Sequence, residues 1–218
     1  MNPLRLPPAL LALSPGNLTP AEVTGFLART AQASGAGLGG ILLRESRLAD
    51  REFLGLARAV GAQLAERGGW LGIHDRAHLV GPADAHGVHL GFRSLRATEV
   101  RSLVGDAIAI GLSTHAGDAP ETWAAADYRF FGPVFDTPSK RGLVAAVGPA
   151  GLTTSVVANA LPVWALGGLQ PRNLDTLRSS GVRGVALLAG ILGAPDVAQA
   201  TRAALDSWAG DVSGEGNA

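Results

Sequence analysis

At 218 residues, 47% hydrophobic and 17% charged, the chain has material for one large domain with a substantial core and little for a long disordered region. Lysine plus arginine balance aspartate plus glutamate at 18 each, which removes any net-charge argument for nucleic acid or a charged membrane surface and leaves a small molecule as the expected partner. The absence of cysteine excludes disulfides, thiolate nucleophiles and zinc–thiolate sites together, and suits a cytoplasmic location.

In chain order, Leu6–Leu13 is too short and proline-rich for an export signal and reads, from Pro8 to Ser14, as a first strand. Thr19-Pro20-Ala21-Glu22 then opens a helix with an N-cap, a proline at the first position and an acid in the first turn. Gly39–Leu43 is a buried-strand run, and Asp50–Arg67 sets Phe53, Leu54, Ala57, Val60 and Leu64 on one helical face. Trp70–Ile73 reads as a third strand before a short helical piece around Arg76–Val80, and Gly87–Leu90 as a fourth. Leu95–Val104 has helical spacing, Ala107–Leu112 is a fifth strand, Asp118–Ala126 a helix, and Tyr128–Phe131 a sixth strand. The pattern closes with helix Pro149–Ala158, strand Pro162–Leu166, helix Pro171–Ser179 ended by Gly181, strand Val182–Leu188 and helix Pro195–Trp208. Residues 210–218 form a polar tail. No apolar run reaches the roughly 20 residues that span a bilayer.

Eight strand–helix units with short connections make an α/β chain of the (β/α)8 TIM-barrel class, one domain over residues 1–209. The first strand is followed by Ser-Pro-Gly-Asn rather than Gly-x-Gly-x-x-Gly, which weakens an open nucleotide-binding sheet. In a barrel the ligand sits over the C-terminal strand ends, so the residues just past each apolar run are the candidates. They are Arg44 and Glu45, His74 and Asp75, Gly91–Ser94, Ser113 with Thr114 and His115, the loop with Thr137, Ser139 and Lys140, then Gly167-Gly168 and Ala189-Gly190.

Hydroxyls and an ammonium beyond a buried strand suit a phosphate, although polar residues are common in any loop. Gly167-Gly168 and Ala189-Gly190-Ile191 occupy the two loops where barrels bind phosphate through backbone N–H groups and a helix N-terminus. His115, among hydroxyls at a strand end, is the proton-transfer candidate, while His89 inside the fourth strand reads as a packed core histidine. Arg44 fits an anion clamp; Glu45 beside it serves equally as an ion-pair partner. Asp75 offers one metal ligand, or a partner for Arg76, or a helix cap. Four tryptophans fit a core or an interface equally, so oligomeric state is not decided.

From about Leu42 to Ile191 the collected pieces resemble one family. They are Leu42-Leu43-Arg44-Glu45, His74-Asp75-Arg76, Gly87-Val88-His89-Leu90-Gly91, Gly111-Leu112-Ser113-Thr114-His115, Asp127-Tyr128 through Gly132-Pro133 to Lys140, Ala165-Leu166-Gly167-Gly168 and Gly184-Val185-Ala186. The family is that of the thiamine phosphate synthases and thiazole tautomerases. The resemblance implies a phosphorylated thiazole as substrate, held by Arg44, Ser113, Thr137, Ser139, Lys140, Gly167, Gly168, Ala189 and Gly190, with at most a second copy of the chain as protein partner. The synthase joins a pyrimidine diphosphate to a thiazole phosphate with loss of pyrophosphate and uses Mg2+ on two aspartates. The first of these matches Asp75; Ser94 stands at the second, Ser46 at a diphosphate-binding lysine, and His74 at an asparagine. Those departures put the expectation first on metal-free tautomerase-like proton transfer by His115, with Glu45 assisting. Synthase activity with Mg2+ on Asp75 comes second, and a non-catalytic phosphate binder third.

Overall fold

The computed structural model describes residues 6–119, 123–137, 144–158 and 160–210. Within them eight parallel strands, β1 (Leu10–Leu13), β2 (Gly40–Leu43), β3 (Trp70–His74), β4 (Gly87–Leu90), β5 (Ala109–Thr114), β6 (Tyr128–Phe131), β7 (Val163–Leu166) and β8 (Gly184–Leu187), hydrogen-bond in sequence order. Pairing of Leu10, Leu11 and Ala12 with Val185, Ala186 and Leu187 closes the ring. This is the expected TIM barrel. Its outer layer contains α1 (Val23–Gly35), α2 (Asp50–Ala65), α3 (Ala97–Val104), α4 (Gly148–Val157) and α5 (Val197–Ala209).

Because strand side chains alternate, each apolar run supplies two cores at once. In β1, Leu10 and Ala12 belong to the layer under the helices, while Leu11 and Leu13 belong to the barrel interior. Among the described residues the interior holds four aromatic rings, Trp70, Tyr128, Phe130 and Trp164, each at most 2% exposed. Trp70 and Trp164 are therefore core. They fit because the strands present glycine beside them: a Cβ on Gly72 or Gly184 would lie 2.4 Å from Trp70 or Trp164. Tyr128 meets Trp70 and Trp164 edge to face, at centroid distances of 6.5 and 5.4 Å, and the Trp164 indole N–H donates to the Pro8 carbonyl at 2.8 Å.

The structure departs from the sequence expectation in five places. In α2 the buried face is Phe53, Leu56, Ala57, Val60 and Leu64, with Leu56 in place of Leu54. Strand β5 runs to Thr114, so Ser113 and Thr114 are strand residues paired with Phe130 and Phe131. Asp118 and Ala119 are not helical, while Trp123 is in 3-10 conformation and leads into a turn closed by Ala126 N–H to the Trp123 carbonyl at 3.1 Å; residues 120–122 lie outside the described part. Between β7 and β8 the chain makes two 3-10 helices, Pro171–Asn173 and Asp175–Ser180, rather than one α-helix. Gly181, with φ 78°, ends the second in the left-handed conformation expected of it. Of the tail, Gly210 donates to the Asp206 carbonyl and ends α5, and residues 211–218 are outside the described part. Among the described residues no helix is long and apolar enough to cross a membrane.

Candidate active site

The C-terminal strand ends surround a cavity of about 720 Å3. At β2, the backbone N–H of Arg44 donates to Ser14 Oγ at 2.8 Å, and the Arg44 side chain enters the cavity wall close to Gly16. Glu45 turns the other way. It is 1% exposed, and its two carboxylate oxygens accept from Gly16 N–H at 2.8 Å and Leu18 N–H at 2.7 Å. Those bonds fasten the loop after β1 to the end of β2. Glu45 is thus a loop anchor outside the cavity lining, not the proton-transfer assistant that its position suggested.

At the end of β3 the backbone makes two successive three-residue turns: Arg76 N–H donates to the His74 carbonyl at 2.9 Å and Ala77 N–H to the Asp75 carbonyl at 2.6 Å. Asp75 between them has φ 64°, a conformation costing a non-glycine residue about 1 kcal/mol or more. The turn aims Asp75 into the cavity. One of its oxygens lies 3.2 Å from His74 Nδ1, and the other accepts from Ser94 Oγ, which itself accepts from Gly91 N–H at 2.7 Å. Arg76 points away: its guanidinium bonds Asp50 and the Glu45 and Leu48 carbonyls and lies 4.6 Å above the Phe53 ring. Asp75 therefore neither pairs with Arg76 nor caps a helix.

His89 on β4 is both core and cavity wall. It is 1% exposed, stacks on Phe130 at 4.0 Å, and shares a 2.9 Å hydrogen bond between Nε2 and Ser113 Oγ. Its Nδ1 has no hydrogen-bond partner among the described residues. Burial pushes its pKa well below the usual value, reinforced by the neighbouring His74 and Arg44; burial also lowers His74, partly opposed by Asp75. Both rings are neutral near pH 7. His115, at the end of β5, lines the cavity, and its backbone N–H donates to Asp118 at 2.7 Å, with its Nδ1 3.7 Å from the same carboxylate.

Across the ring, β7 runs into Gly167 and Gly168, with φ of 99° and 66°. They lie on the continuation of β6: Phe135 N–H donates to the Gly167 carbonyl at 3.0 Å, and a Cβ on Gly168 would come within 2.7 Å of Phe135 and of the Asp136 carbonyl. Both glycines line the cavity with Thr137, Arg172 and Ala189. Gly190 does not. It is buried behind the wall against the Leu169 carbonyl, and residues 189–193 form turns, so the helix N-terminus expected there is absent. Ser139 and Lys140 lie outside the described residues.

A family model described as "Thiamine monophosphate synthase" matches residues 18–191. The chain belongs to this family. A putative thiamine-phosphate synthase of Geobacter sulfurreducens is 37% identical over 182 residues, 83% of this chain and 85% of that protein. The thiamine-phosphate synthase of Laribacter hongkongensis is 35% identical over 179 residues, 82% and 85% of the two chains. Among solved structures, a thiamine phosphate pyrophosphorylase from Pyrococcus furiosus covers 92% of this chain and 95% of its own, with 24% identity and a TM-score of 0.79, a likeness of fold.

Seen within the family fold, Arg44, Asp75, Ser113, His115, Thr137, Gly167, Gly168 and Ala189 do converge on one cavity. Phe92 and Arg93, within the expected strand-end run Gly91–Ser94, also line it, as do His89, which the sequence placed in the core, and Gln170 and Arg172, which it did not single out. The signal for His89 was its strand phase: residues alternate in and out, and His89 shares its face with the inward-facing ends of neighbouring strands.

The buried histidines set a pH dependence. Below about pH 6.5 an unfolded histidine binds a proton that native His89 and His74 resist, so stability is complete above that pH and is lost as pH falls toward the depressed native values. Urea unfolding at pH 7.5 and 5.5 is expected to show a lower midpoint at the acid pH, with a slope of up to about 1.4 kcal/mol per pH unit from each group. His89→Gln should flatten that dependence. An equal slope in the variant would assign it elsewhere.

Proposed function

We propose that the chain is an enzyme of thiamine biosynthesis that couples a pyrimidine diphosphate to a thiazole phosphate, the reaction for which its relatives are named. The names of those relatives reverse the order given by the sequence, in which tautomerase-like proton transfer stood first. One observation carries the reading: a single cavity has glycines and Thr137 at one side, suited to a phosphate, and Arg44, His74, Asp75 and Arg93 at the other. A closed ring of eight sets β7 opposite β3, so a ligand phosphorylated at one side extends toward the other. Arg44 and Arg93 would receive the departing diphosphate, and the apolar Leu13, Leu42 and Phe130 walls would keep water from the bond being made.

The synthase reading implies Mg2+. Asp75 is a lone carboxylate beside the Ser94 hydroxyl, and among the described residues no cluster of three His, Asp or Glu forms a metal cage. That donor set fits an ion brought in by the diphosphate, which supplies its remaining oxygens. When bound, the ion offsets the charge on the leaving group.

Incubating the protein with pyrimidine diphosphate, thiazole phosphate and Mg2+ should yield thiamine phosphate and pyrophosphate in equal amounts. No product, with tautomer conversion of a thiazole carboxylate phosphate instead, would transfer the assignment to the second reading. That reading keeps specific support from Ser94 and from His115 beside Asp118. Binding of thiazole phosphate with neither turnover would leave the third, a non-catalytic binder.

A further inference from the structure

Phe92 is unexplained by the fold. It is 87% exposed, more than the other exposed large hydrophobics Leu95, Leu103 and Val157, yet it lines the mouth of the cavity. The loop carrying it is fixed on both sides. Before it, Gly91 lies on the His74 ring, where a Cβ would meet Nε2 at 3.2 Å, and donates its N–H to Ser94 Oγ. After it, Ser94 N–H donates back to the Gly91 carbonyl at 3.1 Å and Ser94 Oγ reaches Asp75. Phe92 and Arg93 form the tip of this short loop, with the Arg93 guanidinium 5.9 Å from the Phe92 ring centroid. A solvated apolar ring gains free energy when an apolar or aromatic surface covers it.

We propose that Phe92 is a specificity-determining residue that stacks on the heteroaromatic ring lying farthest from the substrate's phosphate. The assignment rests on the thiamine-phosphate reading above and deepens it. In the closed ring β4 lies three strands from β7 and four from β8, so the Phe92 loop stands across the mouth from Gly167, Gly168 and Ala189. A one-ring ligand held by its phosphate at those glycines stops short of Phe92. A two-ring ligand reaches it, and Phe92 closes on the second ring while Arg93 turns toward any anion beside it. Stacking is sequence-tolerant chemistry, since any planar ring has a face to offer, and the choice of a two-ring over a one-ring ligand follows from reach.

The test uses the full chain and two ligands, thiazole phosphate with one ring and thiamine phosphate with two, titrated calorimetrically into wild type, Phe92→Ala and Phe92→Tyr. Phe92→Ala is expected to bind thiamine phosphate roughly tenfold more weakly and thiazole phosphate within about twofold of wild type. Phe92→Tyr, which keeps the ring, is expected to restore thiamine phosphate affinity. Unchanged thiamine phosphate binding in Phe92→Ala, or equal loss for both ligands, overturns the assignment. So does a change in oligomeric mass by light scattering, which would make the ring a contact with a second copy. Wild type that binds neither ligand overturns the functional reading and this assignment with it, whereas wild type that binds both leaves the variants to judge Phe92 alone.

Discussion

Gly111→Ala is expected to lower the unfolding free energy by about 3 kcal/mol or more, measured by urea titration of tryptophan fluorescence. Gly111 on β5 is the registered partner of Tyr128 on β6, and a Cβ there would sit 2.2 Å from the Tyr128 ring. No real Cβ tolerates that distance, so ring or strand must shift. The ring has little room to do so: it is 0% exposed, with Trp70 and Trp164 at its edges and His89 at 5.8 Å. Moving the strand instead strains the parallel pairing that runs from Gly111–Tyr128 to Thr114–Phe131. The same substitution at Gly55 supplies the control. That glycine lies on the exposed side of α2 with nothing within 4 Å of a built Cβ, and alanine there should raise stability by about 0.5–1 kcal/mol through helix propensity. A Gly111→Ala loss below about 0.5 kcal/mol would mean that the interior rings repack freely, against the account of a barrel filled by rings set beside glycines.

The barrel was legible because parallel strands covered on both faces appear as unbroken apolar runs, and eight of them occur with turn signals between. Where the reading failed, a second contact had decided the outcome. Polar Ser113 and Thr114 looked like loop because they end the apolar run, yet Thr114 Oγ1 donates to the Phe130 carbonyl at 2.9 Å and β5 stays extended. The 3-10 segment at Pro171–Asn173 is held by Asn173, whose side chain accepts from Gln170 N–H at 2.9 Å and donates to the Gly168 carbonyl at 3.1 Å. Those bonds tie the segment to the glycine turn where a longer α-helix would leave it. Glu45 shows why strand-end position is a weak guide to role. A carboxylate that will act on a substrate and one that will fasten a loop occupy the same place in sequence, and only the fold brings Gly16 and Leu18 to within 2.8 Å of it. His89 is the packed, hydrogen-bonded core histidine that its strand position suggested, and what the strand alone did not reveal is that the same ring also forms cavity wall.

Asp75→Asn is expected to leave folding within about 0.5 kcal/mol of wild type and to lower kcat/KM for thiamine phosphate formation by about 100-fold or more. Asparagine is the substitution that separates charge from shape at this position. It tolerates the positive φ of residue 75, and its carbonyl oxygen can still accept from Ser94 Oγ, so the two turns after β3 remain. The side chain is 52% exposed, which keeps the folding cost of the exchange small. What it removes is the negative charge at the side of the cavity that the proposed coupling assigns to the diphosphate, together with the influence that partly opposes the burial-driven lowering of the His74 pKa. His115→Gln gives the complementary measurement, since the tautomerase reading needs that imidazole and makes no demand on the Asp75 charge. A large loss of coupling activity in Asp75→Asn with a smaller one in His115→Gln supports the synthase. A coupling enzyme indifferent to Asp75→Asn would instead require Arg44, Arg93 and His74 to carry the leaving diphosphate without a carboxylate-held ion, and would remove Asp75 from the chemistry.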